Sequence, residues 1–597
     1  MEKRLYFPLI AAALALLTFT GSAFAQQKDY SDKSASADEV QALKARIEQL
    51  ENQNQAIVRQ NEAMMKVLIE LKAKIEGPPQ PANASAATSA VGRADSIASK
   101  SASERSGLTQ PDLTRPDLTK SASADASIAA TAASSSGPAP AGSASTGSTV
   151  VAGAAPEEEA PLSLRIGKAA ITPVGFLDLT SVFRTANTGN GLPTSFGGVP
   201  FGNAVAGHLT EERLSAQNSQ PGVRVDVDVN GAHVTGYLLM DFLGQPAPGN
   251  LVTTTNGNGM RLREGYVDVR KDKFEIVGGQ AWSLLTPNRR GLGPEHRDLF
   301  YGEKNLDPNE QLGLVWQRGP GVRFIYNASD TVAMALALEN PDQYIGGSGG
   351  GGTIVLPSAL ATAYGAELDN TSNSLAVPNL HPDIIAKIAF DPKIGDKLFH
   401  IEFAGVDRSF KVFNPLTKET FTTNGGGGAI NFNFELFKGF HLLANNFYGD
   451  GGGRYLFGQA PDLIVRGDGS LSLVHSAASL DGFEAQVAKK TVLYSYYGMV
   501  YVSRDIAVDP VTHTLIGYGF PGSPATNNRV IHEPTFGINQ TLWRDPKYGA
   551  LQLAMQYSYV LRHPWSIAPG APADANLNMV YVGLRYFFPG EAPRFGK

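Results

Sequence analysis

The chain contains no cysteine among its 597 residues, which excludes disulfide bonds, thiol chemistry and Cys-ligated zinc. Its ten histidines show neither HxxxH nor HExxH spacing, so we expect no metal, no cofactor and no catalytic site. A net charge of −6 is small for this length and argues against nucleic-acid binding. After the N-terminus no window has the length and apolarity of a transmembrane helix. The 64 glycines and 37 prolines divide the chain into short segments instead.

The N-terminus has the pattern of a secretory signal peptide. Lys3 and Arg4 precede an apolar run at 5–17, and Ala23-Phe24-Ala25 supplies a small-x-small cleavage site. The run is shorter than the roughly 18–20 apolar residues that span a bilayer. We therefore predict that residues 1–25 direct export and that the mature chain starts at Gln26.

A short polar segment, 26–39, leads into a heptad repeat at 40–76, which predicts an α-helical coiled coil. The a positions are Val40, Ile47, Asn54, Asn61, Leu68 and Ile75, and the d positions are Leu43, Leu50, Ile57, Met64 and Leu71. Residues 77–161 are rich in Ala, Ser, Thr, Gly and Pro and cannot bury enough apolar surface to fold. They are predicted to be a disordered linker.

From 162 to 588 the apolar residues recur with a period of two. Apolar and polar residues alternate along 223–230, 430–436 and 551–559, as they do in β-strands. A soluble antiparallel sheet alternates in the same way, so this pattern alone leaves both kinds of sheet open.

The connections favour a membrane barrel, because short turns and long loops alternate along the chain. Short turns are predicted at 230–232, 271–273, 327–330, 391–397, 437–439, 489–491 and 544–548. Long loops are predicted at 185–220, 244–259, 283–310, 341–380, 412–424, 449–478, 506–529 and 563–575. Seven turns and eight loops join about sixteen antiparallel strands, which is typical of an all-β transmembrane barrel of the bacterial outer membrane.

The last predicted strand places Val580, Val582, Leu584, Tyr586 and Phe588 on one face. This aromatic end is similar to the C-terminal signal by which outer-membrane proteins engage the barrel-assembly machinery. A further segment, 589–597, follows it and is a departure from that pattern. We expect outer-membrane lipid and lipopolysaccharide to surround the barrel, with the coiled coil and linker in the periplasm.

Two neighbouring motifs resemble the DcaP-type porins. These are Met260–Val269 (MRLREGYVDV) and Gly279–Ser283 (GQAWS), and Ala337–Pro341 (ALENP) is similar to another strand end of that family. The resemblance implies a trimeric porin for passive diffusion of small anionic solutes such as dicarboxylates. A coiled coil before the barrel is also the arrangement of that family.

The oligomeric state read from the heptads alone stays open. Val58, Met65 and Val67 widen the apolar stripe and favour more than two helices, whereas asparagine at two a positions favours a dimer. The resemblance favours a homotrimer, and the N-terminal region is a candidate contact for peptidoglycan.

Arginines near the third long loop are the candidate pore constriction. Rings of Arg select anions, and alternation directs several of these side chains to the lumen, where charge costs little. The candidates are Arg224, Arg261, Arg263, Arg289, Arg290, Arg297 and Arg323. We expect a bulge near Glu264-Gly265, because the phase slips there and turns Tyr266 and Asp268 inward. The alternative is a lumen of mixed charge without preference, since Asp226, Asp228, Glu402, Glu435 and Glu484 are also expected to face inward.

Two other functions remain as alternatives. One is a structural envelope tether or adhesin-like protein, which the coiled coil and linker would suit. The other is a barrel enzyme, in which His400 or His441 would pair with a serine across the sheet. The GxGxxG and GxSxG matches within 346–352 lack the flanking strand and helix that these motifs need, and are attributed to chance.

Overall fold

The computed structural model describes residues 161–244, 258–295, 299, 305–347, 350–368 and 378–591. The predicted signal peptide, the polar segment, the coiled coil and the linker up to residue 160 lie outside these ranges, as does Arg297. Among the described residues, no helix is long and apolar enough to cross a bilayer.

Sixteen strands of the described chain form a closed antiparallel barrel, as predicted. The strands are β1 (Ala169–Arg184), β2 (Gln220–Val229), β3 (Ala232–Gly244), β4 (Gly259–Lys271), β5 (Phe274–Trp282), β6 (Arg318–Ser329), β7 (Val332–Glu339), β8 (Asp383–Phe390), β9 (Lys397–Asn414), β10 (Glu419–Phe437), β11 (Phe440–Asp450), β12 (His475–Ala488), β13 (Thr491–Val502), β14 (Asn528–Asp545), β15 (Gly549–Pro564) and β16 (Ala575–Phe587).

The barrel closes where β16 pairs with β1. The register runs from Phe176 opposite Phe587 to Arg184 opposite Met579. The other edge of β1 pairs with β2 and, nearer the loops, with the short strand Glu211–Ser215. Closure leaves no strand edge along the wall, which is the condition for a sheet to span lipid.

The two faces of the wall are inverted relative to a soluble protein. Leu179, Ile276, Leu336, Ile430 and Phe536 point outward and are exposed. Polar side chains point inward and are buried, among them Asn431, Asn445, Thr535, Gln552 and Gln556. An apolar exterior around a polar interior is the pattern of a membrane barrel.

The turns and loops sort to opposite ends of the barrel, here called the short-turn end and the long-loop end. Asn230 and Gly231 join β2 to β3 with φ of 51° and 78°, as a two-residue type I′ hairpin requires. Seven such short connections agree with the prediction to within a few residues.

The fifth predicted loop, 412–424, is wrong. Strands β9 and β10 continue to Asn414 and from Glu419, leaving a four-residue turn at 415–418. Side chains stabilise this extension: the Asn414 carboxamide accepts from the amides of Leu416 and Thr417. The edge of β9 is covered by Gln343, which accepts from the Lys411 amide at 2.8 Å and donates to its carbonyl at 3.0 Å.

The described parts of the loops 185–219, 340–382, 451–474 and 503–527 pack together at the long-loop end. They include the helix α1 (Ala361–Leu368) and two small hairpins, Leu463–Val465 with Leu471–Leu473 and Asp505–Val508 with Leu515–Tyr518. Tyr364, Leu368, Ile464 and Tyr518 are fully buried between them.

Arg408 on β9 ties these loops to the wall. Its guanidinium lies 3.1 Å from Asp383 and 2.7 Å from Asp462, and it donates to the carbonyls of Asp342 and Gly451. All three charged side chains are buried. The arginine therefore joins β8, β9 and two loops in one ionic cluster.

Candidate pore and its third loop

The third loop joins β5 to β6, and its described residues, 283–295, 299 and 305–317, fold into the barrel. Four of its described backbone amides donate to inward side chains of distant strands: Asn288 to Glu402 on β9, Leu306 to Gln556 on β15, Leu312 to Glu533 on β14 and Val315 to Asn445 on β11, at 2.9–3.2 Å. The loop therefore lies against the inner wall formed by β8–β15.

Lys387 on β8 anchors the start of this loop. Its ammonium donates to the Thr286 carbonyl and to Glu402, both at 2.8 Å. Lys387 and Glu402 are fully buried, and Glu402 also accepts from Asn431 at 2.7 Å. His400, considered above as an enzymatic group, lies between Asp391 and Glu402 and belongs to this anchor.

Two of the predicted arginines also hold the loop. Arg289 makes a bidentate ion pair with Glu484 on β12, whose carboxylate accepts a further hydrogen bond from Tyr496 at 2.6 Å. Arg323 on β6 donates to the carbonyls of Leu292 at 3.0 Å and Trp282 at 2.6 Å. Both guanidiniums are committed to positioning the loop.

Small residues allow the close approach. A Cβ at Gly498 on β13 would lie 1.9 Å from the Leu312 carbonyl oxygen, so only glycine fits there. On β7 the inward positions are Ala333, Ala335 and Ala337, all buried. The loop lines β8–β15, and partly exposed inward arginines remain on the opposite wall, at Arg224 on β2 and at Arg261 and Arg270 on β4.

Two arginines of this opposite wall, both on β4, are more exposed than the carboxylates with which they pair. The side chain of Arg261 is 41% exposed and pairs at 2.7 Å with Asp241, which is 0% exposed. The side chain of Arg270 is 36% exposed and pairs at 2.7 Å with Asp268, which is 2% exposed. Guanidiniums thus face the accessible volume, and their counter-charges lie behind them in the wall.

Arg263 connects this wall to the third loop. It pairs with Asp241 at 3.3 Å and with Glu310 of the loop at 3.2 Å. Burial raises the pKa of Glu310 above its usual range, while the neighbouring guanidinium opposes the shift. A register shift at Arg263 turns it and Glu264 to the same side, and Tyr266 and Asp268 face inward, so the predicted bulge is confirmed.

Arg318, at the end of the third loop, was missed by the sequence reasoning. Its guanidinium lies beside two neighbouring indoles, 4.9 Å from the Trp282 ring centre and 5.3 Å from that of Trp316. Two buried donors here, Arg318 Nη1 and Trp316 Nε1, have no hydrogen-bond acceptor in the described part of the chain. The predicted third loop ends at 310, so Arg318, the first residue of β6, is not among the predicted loop residues.

The predicted arginines therefore divide into groups rather than forming one ring. Arg261 and Arg263 share Asp241, and Arg224 lies nearer the short-turn end, paired with Asp226 at 2.9 Å and Glu295 at 3.5 Å. Arg290 is exposed and has no ion-pair partner among the described residues. Of the acids expected inside, Glu402 and Glu484 are buried there, whereas Asp228 is exposed at the turn.

No group of His, Asp and Glu side chains in the described ranges is arranged to hold a metal ion. The described site offers paired charges along a wall facing a folded-in loop, which suits the sorting of solutes by charge and size.

Comparison with solved structures places the fold among outer-membrane channels. The outer membrane channel DcaP of Acinetobacter baumannii is 16% identical over 72% of this chain and 100% of its own, with a TM-score of 0.51. The expected likeness to DcaP-type barrels is thus confirmed at the level of fold.

Two further structures resemble the chain less. The anion-selective porin from Comamonas acidovorans is 13% identical over 70% of this chain and 100% of its own, with a TM-score of 0.40. OmpT of Vibrio cholerae is 12% identical over 71% and 99%, with a TM-score of 0.36. Scores this low carry no argument. No family model and no curated protein sequence matches the chain.

Proposed function

We propose that this chain is an outer-membrane porin, a water-filled channel for passive diffusion of small anionic solutes such as dicarboxylates. The observation that carries the proposal is the exposure of Arg261 and Arg270 on β4 in front of their buried carboxylates. A solute in the passage meets the guanidiniums first, and a guanidinium matches a carboxylate with two parallel hydrogen bonds.

The arrangement of the third loop supports the same function. A loop held inside a closed barrel by buried ion pairs narrows the lumen and leaves the strand pairing of the wall intact. The exposed guanidiniums of Arg261 and Arg270 add a second feature, positive charge beside the narrowed lumen. A tether or adhesin would need neither feature, and the ion pairs of His400 favour an anchor over an enzymatic base.

The sidedness follows from the proposed location. With short turns in the periplasm and long loops outside, both ends of the barrel chain emerge on the periplasmic side. The coiled coil at 40–76 and the linker at 77–161 are then periplasmic, where the N-terminal region is a proposed contact for peptidoglycan. Lipid, lipopolysaccharide and the barrel-assembly machinery are the proposed partners of the wall.

Charge reversal at Arg261 and Arg263 tests the selectivity. The double variant Arg261→Glu/Arg263→Glu, studied in planar bilayers under a KCl gradient, should shift the reversal potential toward cations. The two reversals change the fixed charge by four units, and one unit at ~6 Å contributes roughly 0.7 kcal/mol in water. After screening we expect about a tenfold fall in the anion-to-cation permeability ratio.

The matched control is Arg261→Lys/Arg263→Lys, which keeps both charges and should keep the ratio near that of the wild type. A reversal potential unchanged by the glutamates would show that these arginines are not the filter. A wild-type protein that leaves the bilayer sealed would overturn the proposed function itself.

A homotrimer is proposed as the assembly. The widened apolar stripe of the heptads supports more than two helices, and the resemblance of the sequence motifs to DcaP-type porins implies three chains. Light scattering of the detergent-extracted protein should give the mass of three chains. Deleting 40–76 removes the predicted helices, and an equally long deletion inside 77–161 controls for the shortening of the chain. The masses of the two deletion variants show whether the helices are needed for assembly. A monomeric or dimeric full-length protein would contradict the proposal.

A further inference from the structure

The residues that directly follow the last strand, Phe588–Glu591, turn toward the inner face of the wall. The Phe588 amide donates to the Gly175 carbonyl on β1 at 2.9 Å. A 3-10 turn, Pro589–Glu591, follows, closed by the Glu591 amide donating to the Phe588 carbonyl at 3.0 Å. This turn, here called the exit turn, lies just beyond the end of β16.

The seat of the exit turn is closely fitted. A Cβ at Gly590 would lie 2.7 Å from Val174 Cγ1 and 2.8 Å from the Pro173 carbonyl oxygen, so a larger residue would displace the turn. Val174 is an inward residue and is 1% exposed. Gly175 adopts φ of +86°, with its Cβ position 1.8 Å from the Gln220 oxygen, so the wall beneath the turn also requires glycine.

The exit turn places the Glu591 carboxylate inside the barrel. Tyr237 on β3 donates its hydroxyl to Glu591 Oε1 at 3.2 Å. Tyr237 stacks on Tyr266 of β4, with ring centres 5.2 Å apart, and both rings are buried on the inner face. Tyr237 lies directly opposite Arg224 in the β2–β3 register. Glu591 therefore stands on the same wall as the arginines that face the accessible volume.

We propose that the exit turn is an element of the pore and that Glu591 determines its selectivity. This inference rests on the proposed porin function. The carboxylate places a fixed negative charge on the short-turn side of Arg261 and Arg263, where it opposes anions that have passed these two residues and so lowers the anion preference of the pore. The turn itself also occupies part of the lumen beside β1.

Two variants test the charge and the seat separately in planar bilayers. Glu591→Gln keeps the shape of the turn and should raise the anion-to-cation permeability ratio about threefold, since one charge at ~6 Å is removed. Gly590→Ala keeps every charge but displaces the turn from Val174. It should raise the single-channel conductance and move the permeability ratio in the same direction.

Glu419→Gln is the matched control, because it removes one carboxylate at the exposed tip of the β9–β10 hairpin. It should leave both quantities unchanged. Heat-modifiable electrophoretic mobility should confirm that each variant has folded into a barrel.

If the wild type conducts and Glu591→Gln leaves the permeability ratio where it was, Glu591 is not a selectivity residue and the inference is overturned while the porin function stands. If Gly590→Ala alone has no effect on conductance, the exit turn is not part of the pore. A wild-type protein that does not conduct would overturn both the function and the inference.

Discussion

Replacing Arg408 by leucine should destabilise the loop assembly at the long-loop end by about 3–5 kcal/mol, the usual cost of removing one partner from a buried ion pair. The substitution leaves Asp383 and Asp462 buried, with Arg454 at 3.4 Å as the remaining guanidinium near Asp383. Burial raises the pKa of Asp462 and Arg408 opposes that shift, so without the arginine this carboxyl takes up a proton more readily.

Limited proteolysis would measure the loss, with cleavage expected first within 340–382 and 451–474. Arg466→Leu is the matched control. Arg466 is an exposed arginine of the loop 451–474, which also contains Asp462, and it donates to Ser472 within that loop. Adding Asp462→Asn to the Arg408 variant should restore part of the resistance, since it removes one uncompensated charge. Equal protease resistance of the Arg408 and Arg466 variants would contradict the assigned role.

Replacing Lys387 by methionine should release the start of the third loop from the wall. Methionine fills a similar volume but donates no hydrogen bond to Thr286 and leaves the Glu402 charge without its ammonium partner. The expected cost to the anchored state is again about 3–5 kcal/mol. We expect larger and noisier single-channel currents, because the loop then samples positions away from β8–β15.

The control for this prediction is Lys393→Met, at an exposed lysine in the neighbouring short turn. The double variant Lys387→Met/Glu402→Gln should be quieter than the single one, since no unpaired charge remains buried. Currents of unchanged size and noise in Lys387→Met would show that the other contacts of the loop hold it without this anchor.

The barrel could be predicted from the sequence because the constraints on its strands and turns act between residues that are close together in the sequence. Alternation reports which face of a strand meets lipid, and the Asn230-Gly231 pair reports a hairpin by its need for positive φ. The bulge at Arg263 could also be predicted, because the alternation of apolar and polar residues in the sequence changes phase beside it. The fifth loop was misjudged because its stabilising partners, such as Gln343, are distant in sequence and therefore invisible to a periodic pattern.

The site was predicted only in part. The alternation of apolar and polar residues predicts that Arg261 and Arg323 both face the interior, but it does not predict which wall the third loop covers. That depends on contacts such as the pair Arg289–Glu484, 195 residues apart. As a result Arg261 faces the accessible volume, whereas Arg323 donates hydrogen bonds to carbonyls at the third loop. Arg318 was missed for the same reason, because its indole neighbours come together only when the loop folds.

The third loop is bonded to the wall through side chains, whereas the wall is held by its own backbone ladder. These are separate sets of bonds. The width and charge of the passage are therefore adjustable by single substitutions that leave the strand pairing intact. A barrel of this kind is a scaffold in which permeability can diverge, in evolution or by engineering, without a new fold having to be found.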